Sequence, residues 1–216
     1  MSIDDLAALP LVREGLANLH GEAFGSGGFA LGMDEVIDVV IKWPSSTYRR
    51  GRMISGSTVV RREREAKYTR EALSLWLDDC RSVAYVPGIG TWTTAEVHVF
   101  ADRPGHVNFF DEELLDRAPD GHWYPGARPS GAATWAQQVL AYPRTVDNIP
   151  AWMWDIFRAE GVAPPIFNPQ FNSVDWNNRR RPVTDRGTDF SVEPTIIDPS
   201  KEPGKFARFS KKVLRR

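Results

Sequence analysis

Carboxylates are the side chains of this sequence best placed to do chemistry, and Asp147 comes first among them. It stands in YPRTVDNIP, residues 142–150, just before Ile149 and Pro150. Asp or Asn ahead of an apolar-periodic run, with proline in the first turn, marks a helix start. The same carboxylate at a strand-to-helix junction is a hard oxygen ligand of the kind Mg²⁺ takes. Phosphodiester hydrolysis with Mg²⁺ uses one or two such groups beside the phosphate oxygens. Asp147 is therefore read either as a helix cap or as a metal ligand. Asp102, at the end of an earlier strand, becomes a second metal ligand if that strand lies beside the Asp147 motif. Asp155 does not qualify, because eight helical residues separate it from Asp147 by about 12 Å along the axis.

Other chemistries have less support. His20, His98, His106 and His122 lack zinc-type spacing, and Cys80 is the single cysteine, which excludes an internal disulfide and any multi-cysteine zinc site. No GxSxG is present, and Cys80 falls on the apolar side of a helical pattern. The glycine-rich GEAFGSGGFALG follows a helix rather than a strand, so a dinucleotide-binding reading fails on context.

The elements that must position these residues follow from periodicity. Leu6 to Leu16 is amphipathic, and with the glycine-rich connector it fills residues 1–35. EVIDVVIKWP is β-branched and stops at Pro44, a strand. SSTYRRGRMISG reads as a basic loop. From about Val60 to Cys80, Leu73, Trp76, Leu77 and Cys80 recur at helical spacing. TWTTAEVHVFA alternates as a strand, and residues 103–133 read as an irregular insertion with one short helix. ATWAQQVLAY reads as a strand entering the Asp147 motif. Ile149, Trp152, Met153, Ile156 and Phe157 then form a helical face closed by Gly161. NSVDW and DFSVEPTII read as late strands separated by the turn RRRPVTDRG. This order predicts an α/β or α+β fold over residues 36–200 with a small mixed sheet. The 36–42 strand is expected beside the strand entering Thr145, with helices 61–80 and 149–160 on one face.

Charge is segregated although the chain carries a net charge of only −1. From Lys42 to Arg70, nine basic residues oppose two acidic ones, a balance of +7; from Lys201 to Arg216, seven oppose one, a balance of +6. Two basic segments in a near-neutral chain point to an anionic partner such as nucleic acid. The start of the sequence shows no signal-like or membrane-spanning run, so a cytoplasmic protein is expected.

Two of these stretches resemble a known family. IKWPSSTYRRGR is similar to the opening strand and basic loop of the RusA-type Holliday-junction resolvases. RTVDNIPAWMWDIFRAEGV resembles their signature helix, with Asp147, Asn148, Asp155 and Gly161 at the family's spacing. SVDWNNRRRPVTDRG looks like their next hairpin. The resemblance spans about residues 36–100 and 134–197, leaving out the N-terminal region, the 103–133 insertion and the 201–216 tail. It implies a homodimeric, Mg²⁺-dependent endonuclease acting on branched DNA in recombination and repair. Asp147 would be its catalytic and metal-binding residue, and Arg49, Arg50, Arg52, Arg144, Lys211 and Lys212 its DNA contacts. The sequence departs from that pattern in three places. Thr145 stands where the family has an aspartate, Ala151 where it has a lysine, and Asn168 and Gln170 where it has a further aspartate. One acidic ligand of three survives, so Mg²⁺ should bind weakly and junction cleavage should be very slow or lost. The alternative is a non-catalytic phage structural or interaction protein on a degenerate RusA-like fold, virion-associated, with Trp123 and Tyr124 at an interface.

Overall fold

The computed structural model describes residues 3–40, 47–55, 58–64, 71–112 and 129–202. The fold is α+β, with two antiparallel sheets. The first half opens with α1 (Ile3–Ala7) and α2 (Pro10–Phe24). Then come β1 (Glu35–Val40), β2 (Thr47–Ser55), β3 (Thr58–Arg64), α3 (Glu71–Ala84), β4 (Thr94–Phe100) and β5 (His106–Phe110). Its sheet has the order β3-β2-β1-β4-β5. Period-2 alternation decides which side chains meet the helices: Val36, Val97, Val99, Val107 and Phe109 share a core with Leu19, Leu73, Leu77 and Cys80. The two helices meet closely at Gly15, where a Cβ would lie 2.1 Å from the Trp76 ring; the Trp76 indole N–H donates to the Leu11 carbonyl at 3.0 Å.

The second half comprises α4 (Ala132–Ala141), a 3₁₀ turn (Val146–Asn148), α5 (Ala151–Glu160), β6 (Ile166–Asn168), β7 (Ser173–Trp176), β8 (Arg179–Thr184), β9 (Gly187–Thr188) and β10 (Thr195–Ile196). Its sheet runs β10-β8-β7-β6. Trp135, Ala136 and Val139 of α4 pack against Ile149 and against Met153 and Phe157 of α5, with Trp135 edge-on to Trp152 at 4.9 Å between ring centroids. As expected, Gly161 ends α5 in the left-handed region (φ 63°), and the Val162 N–H closes the turn onto the Phe157 carbonyl at 3.0 Å.

Several expected elements differ. The run entering Thr145 is a helix, because Ala132, Trp135, Ala136 and Val139 repeat at i, i+3, i+4 and i+7 and all four are buried. No strand from that run joins β1, and the sheet around β1 is antiparallel throughout rather than mixed. The basic loop is a strand, β2; residues 58–64 pair with it as β3, so the following helix begins at Glu71. The expected RRRPVTDRG turn is largely β8. The 103–133 insertion contributes β5, while Trp123 and Tyr124 lie outside the described residues. Among the described residues no helix is long and apolar enough to cross a membrane.

Candidate nucleic-acid interface and the Asp147 turn

The β2–β3 ribbon forms one edge of the first sheet and carries six arginines: Arg49, Arg50 and Arg52 on β2, Arg61, Arg62 and Arg64 on β3. Its register sets Arg49 opposite Arg64 and Arg52 opposite Arg61, with Glu63 opposite Arg50. Like charges at directly opposed positions destabilise an antiparallel pair. β1 ends its pairing at Glu35 opposite Arg52, so Met53–Ser55 and Thr58–Val60 continue as a two-stranded extension past β1. The register also sets acids of β1 beside this edge, Glu35 opposite Arg52 and the buried Asp38 opposite Arg49. Lys211 and Lys212 lie outside the described residues.

On the opposite face of the same sheet sits a half-buried titratable cluster that sequence spacing does not reveal. His98 Nδ1 is 2.9 Å from Glu35 Oε1 and Nε2 is 3.4 Å from Glu96 Oε2, while the His106 ring stacks on it at 4.5 Å. With an acceptor at each nitrogen, the doubly protonated ring is the well-satisfied form. Glu96 and then Glu35 accordingly hold the His98 pKa above its ordinary value against burial, whereas burial and the neighbouring His98 push His106 down.

Arg144 is not a surface cation. It is buried, with Nη1 donating to Asp111 Oδ2 at 2.9 Å and to the Asn148 carbonyl at 3.1 Å, and Nη2 donating to Asp111 Oδ1 at 2.7 Å and to the Thr91 carbonyl. Its side chain is only 5% exposed, which leaves no edge for a phosphate. The loop before β4 is shaped around it. Gly90 has φ +98°, and a Cβ there would lie 2.4 Å from Arg144 Nε. Nearby, the Gly88 carbonyl accepts from the Thr145 N–H at 2.8 Å and from Asn148 Nδ2 at 2.9 Å. Together these bonds join the two halves of the protein and fix the 3₁₀ turn.

Asp147 sits in that turn, exposed, and among the described residues it has no hydrogen-bond or ion-pair partner. It does not cap α5: that helix starts at Ala151 after Pro150, with no side-chain cap. Asp102 lies elsewhere. It follows Phe100 at the far end of β4, while the Asp147 turn docks on the loop that leads into Thr94. Seven residues of strand set those ends about 20 Å apart, at roughly 3.3 Å per residue. Among the described residues no three His, Cys, Asp or Glu side chains converge as a metal site. Asp155 is spent on an exposed pair with Arg158.

Compared with known proteins, the chain matches no family model, no curated protein and no solved structure.

Proposed function

We propose that this protein binds nucleic acid through the β2–β3 ribbon and does not itself cut it. The observation that carries the proposal is the ribbon's register, which sets arginine against arginine at two rungs at the edge of the first sheet. Such pairs are unfavourable in the free protein and become favourable once a polyanion lies along them. A two-stranded β-ribbon is also one of the two elements that the B-DNA major groove, about 12 Å wide, admits. The resemblance to RusA-type resolvases supports DNA, branched DNA included, as the partner, and a homodimer as the acting form. Asp147 supports the non-cutting half of the proposal. A lone exposed carboxylate beside Thr145 offers little charge to offset the cost of dehydrating Mg²⁺.

The test is a salt titration of affinity for a duplex and for a four-way junction, with a cleavage assay in Mg²⁺ or Mn²⁺ run on the same samples. Replacing Arg49, Arg50 and Arg52 together with glutamine should reduce the salt slope by about 2.7, from roughly 0.9 per lost phosphate contact. An unchanged slope would reject the ribbon. Metal-dependent junction cleavage by the parent that Asp147→Asn abolishes would reject the non-cutting half.

A second reading has its own observation. Phe190, Val192, Ile196 and Ile197 are each more than two-fifths exposed around β10, an edge strand of the second sheet. A protein partner covering this strip would make the chain an interaction module, and sedimentation of the purified protein across a concentration series tests self-association through it.

A further inference from the structure

The flank of α2 and the turn between β4 and β5 enclose an open cleft of about 570 Å³. Arg13, Leu16 and His20 line it from the helix, and Asp102, Arg103 and Pro104 line it from the turn. Arg13 is exposed and, among the described residues, has no hydrogen-bond or ion-pair partner. Arg103 is set in place by aromatic stacking, its guanidinium carbon 3.6 Å from the centroid of the Phe100 ring. Stacking occupies the face of the guanidinium and leaves its N–H edge free to donate in the plane, the geometry that suits phosphate. Its partner Asp102 is 3.3 Å away, and both side chains are more than half exposed, so that pair is readily exchanged for another anion.

The sheet register places this cleft relative to the ribbon. Glu35 is opposite Arg52 on one side and Phe100 on the other, so the turn bearing Arg103 leaves the sheet at the same end as the ribbon's extension. β2 and β4 are separated by β1 alone, two strand spacings or about 10 Å. That offset is close to the major-groove width of about 12 Å. A duplex with the ribbon in its groove therefore presents a bounding phosphate strand to the turn.

We infer that Arg13 and Arg103 form a phosphate-binding site that holds the backbone of the same nucleic acid the ribbon engages. The inference rests on the ribbon proposal and adds a contact on the other side of the groove. Asp102 opposes the site's charge.

Fluorescence anisotropy of a short labelled duplex, across a salt series, tests this with the full-length parent, Arg13→Gln/Arg103→Gln, Asp102→Asn and the triple ribbon variant. The double variant should bind with a salt slope lower by about 1.8, two contacts at roughly 0.9 each, and with an unchanged thermal midpoint. Asp102→Asn should bind more tightly than the parent, the opposite of what loss of a metal ligand would give. An unchanged slope in the double variant, while the ribbon variant loses slope, would overturn the cleft and leave the ribbon standing. Loss of slope in the double variant with none in the ribbon variant would overturn the ribbon and leave the cleft as the contact. Titrating inorganic phosphate while following the arginine side-chain NMR signals separates the two phosphate sources. Saturation of Arg13 and Arg103 by free phosphate, with duplex affinity indifferent to their removal, would mark a small-anion site and refute the inference.

Discussion

Replacing Arg144 with methionine separates a structural clamp from a nucleic-acid contact, because the two roles predict different losses. Methionine keeps much of the apolar stem and removes the guanidinium. Two bonds to the carbonyls of Thr91 and Asn148 vanish, and hydrogen bonds to charged groups contribute about 1.5 kcal/mol or more apiece. The bidentate pair with Asp111 goes as well. Asp111 is 37% exposed and recovers water, so we discount that pair to about 1 kcal/mol rather than the roughly 3–5 kcal/mol of a fully buried pair. The total is about 4 kcal/mol, a large part of the roughly 5–15 kcal/mol that holds a typical domain together. For a chain of this size that corresponds to a fall in thermal midpoint on the order of 10 °C. Thermal and urea denaturation of Arg144→Met against the parent would measure it. Asp111→Asn should cost less, since both backbone acceptors remain. An unaltered midpoint in Arg144→Met, combined with a salt slope of duplex binding lowered by about 0.9, would show that Arg144 grips phosphate and that the clamp is misread.

Two further outcomes follow from particular side chains. Glu96 and Glu35 raise the His98 pKa in the folded protein, so the stability His98 contributes is fully present below its unfolded value of about 6.5 and is lost as pH rises through the higher folded value. Urea midpoints of the parent should therefore fall with pH just above 6.5, and His98→Gln should flatten that fall; His106, shifted the other way, acts below this window, and an identical fall in His98→Gln would refute the assignment. Gly161→Ala should cost about 1 kcal/mol, because the space around it is open and the left-handed φ of 63° is the whole penalty; a thermal midpoint equal to the parent's would show that α5 ends differently in solution.

How much was legible depended on whether the signal was local. EVIDVV and TAEVHVF announce β1 and β4 through β-branched alternation, and the α5 face with Gly161 is equally plain. β2 and β3 hide because arginine fills the positions where a strand signature needs apolar residues. The helical period of Ala132, Trp135, Ala136 and Val139 is present in ATWAQQVLAY, but a short apolar run of this length reads equally as a strand or as a buried helix. At the site, Asp147 and the ribbon arginines could be singled out by type, but the state of Arg144 could not. Its partner Asp111 is 33 residues away in sequence, and nothing local marks Gly90 as the glycine whose missing Cβ makes room for it.

The clamp also bears on why Asp147 stands alone. The Phe167 N–H donates to the Arg144 carbonyl at 2.8 Å, so β6 runs beside the segment that leads into the Asp147 turn. A framework that could gather ligands from the 145–147 segment and from the β6–β7 turn is thus in place, but the side chains it offers there are Thr145, Asn168 and Gln170. Two of these are already used internally. Asn148 Nδ2 donates to Thr145 Oγ1 at 3.0 Å, and Asn168 Nδ2 donates to Asp175, whose carboxylate Arg180 engages with both oxygens. The acid that does approach the turn, Asp111, gives both of its oxygens to Arg144. The charge of Asp111 is paired with a buried cation, and the same cation ties the turn to the loop before β4. Drawing Asp111 onto an ion here would give up its pair with Arg144, about 1 kcal/mol once discounted for the exposure of Asp111. The arrangement that joins the two halves therefore leaves Asp147 an exposed carboxylate on a turn held through Arg144 and Asn148.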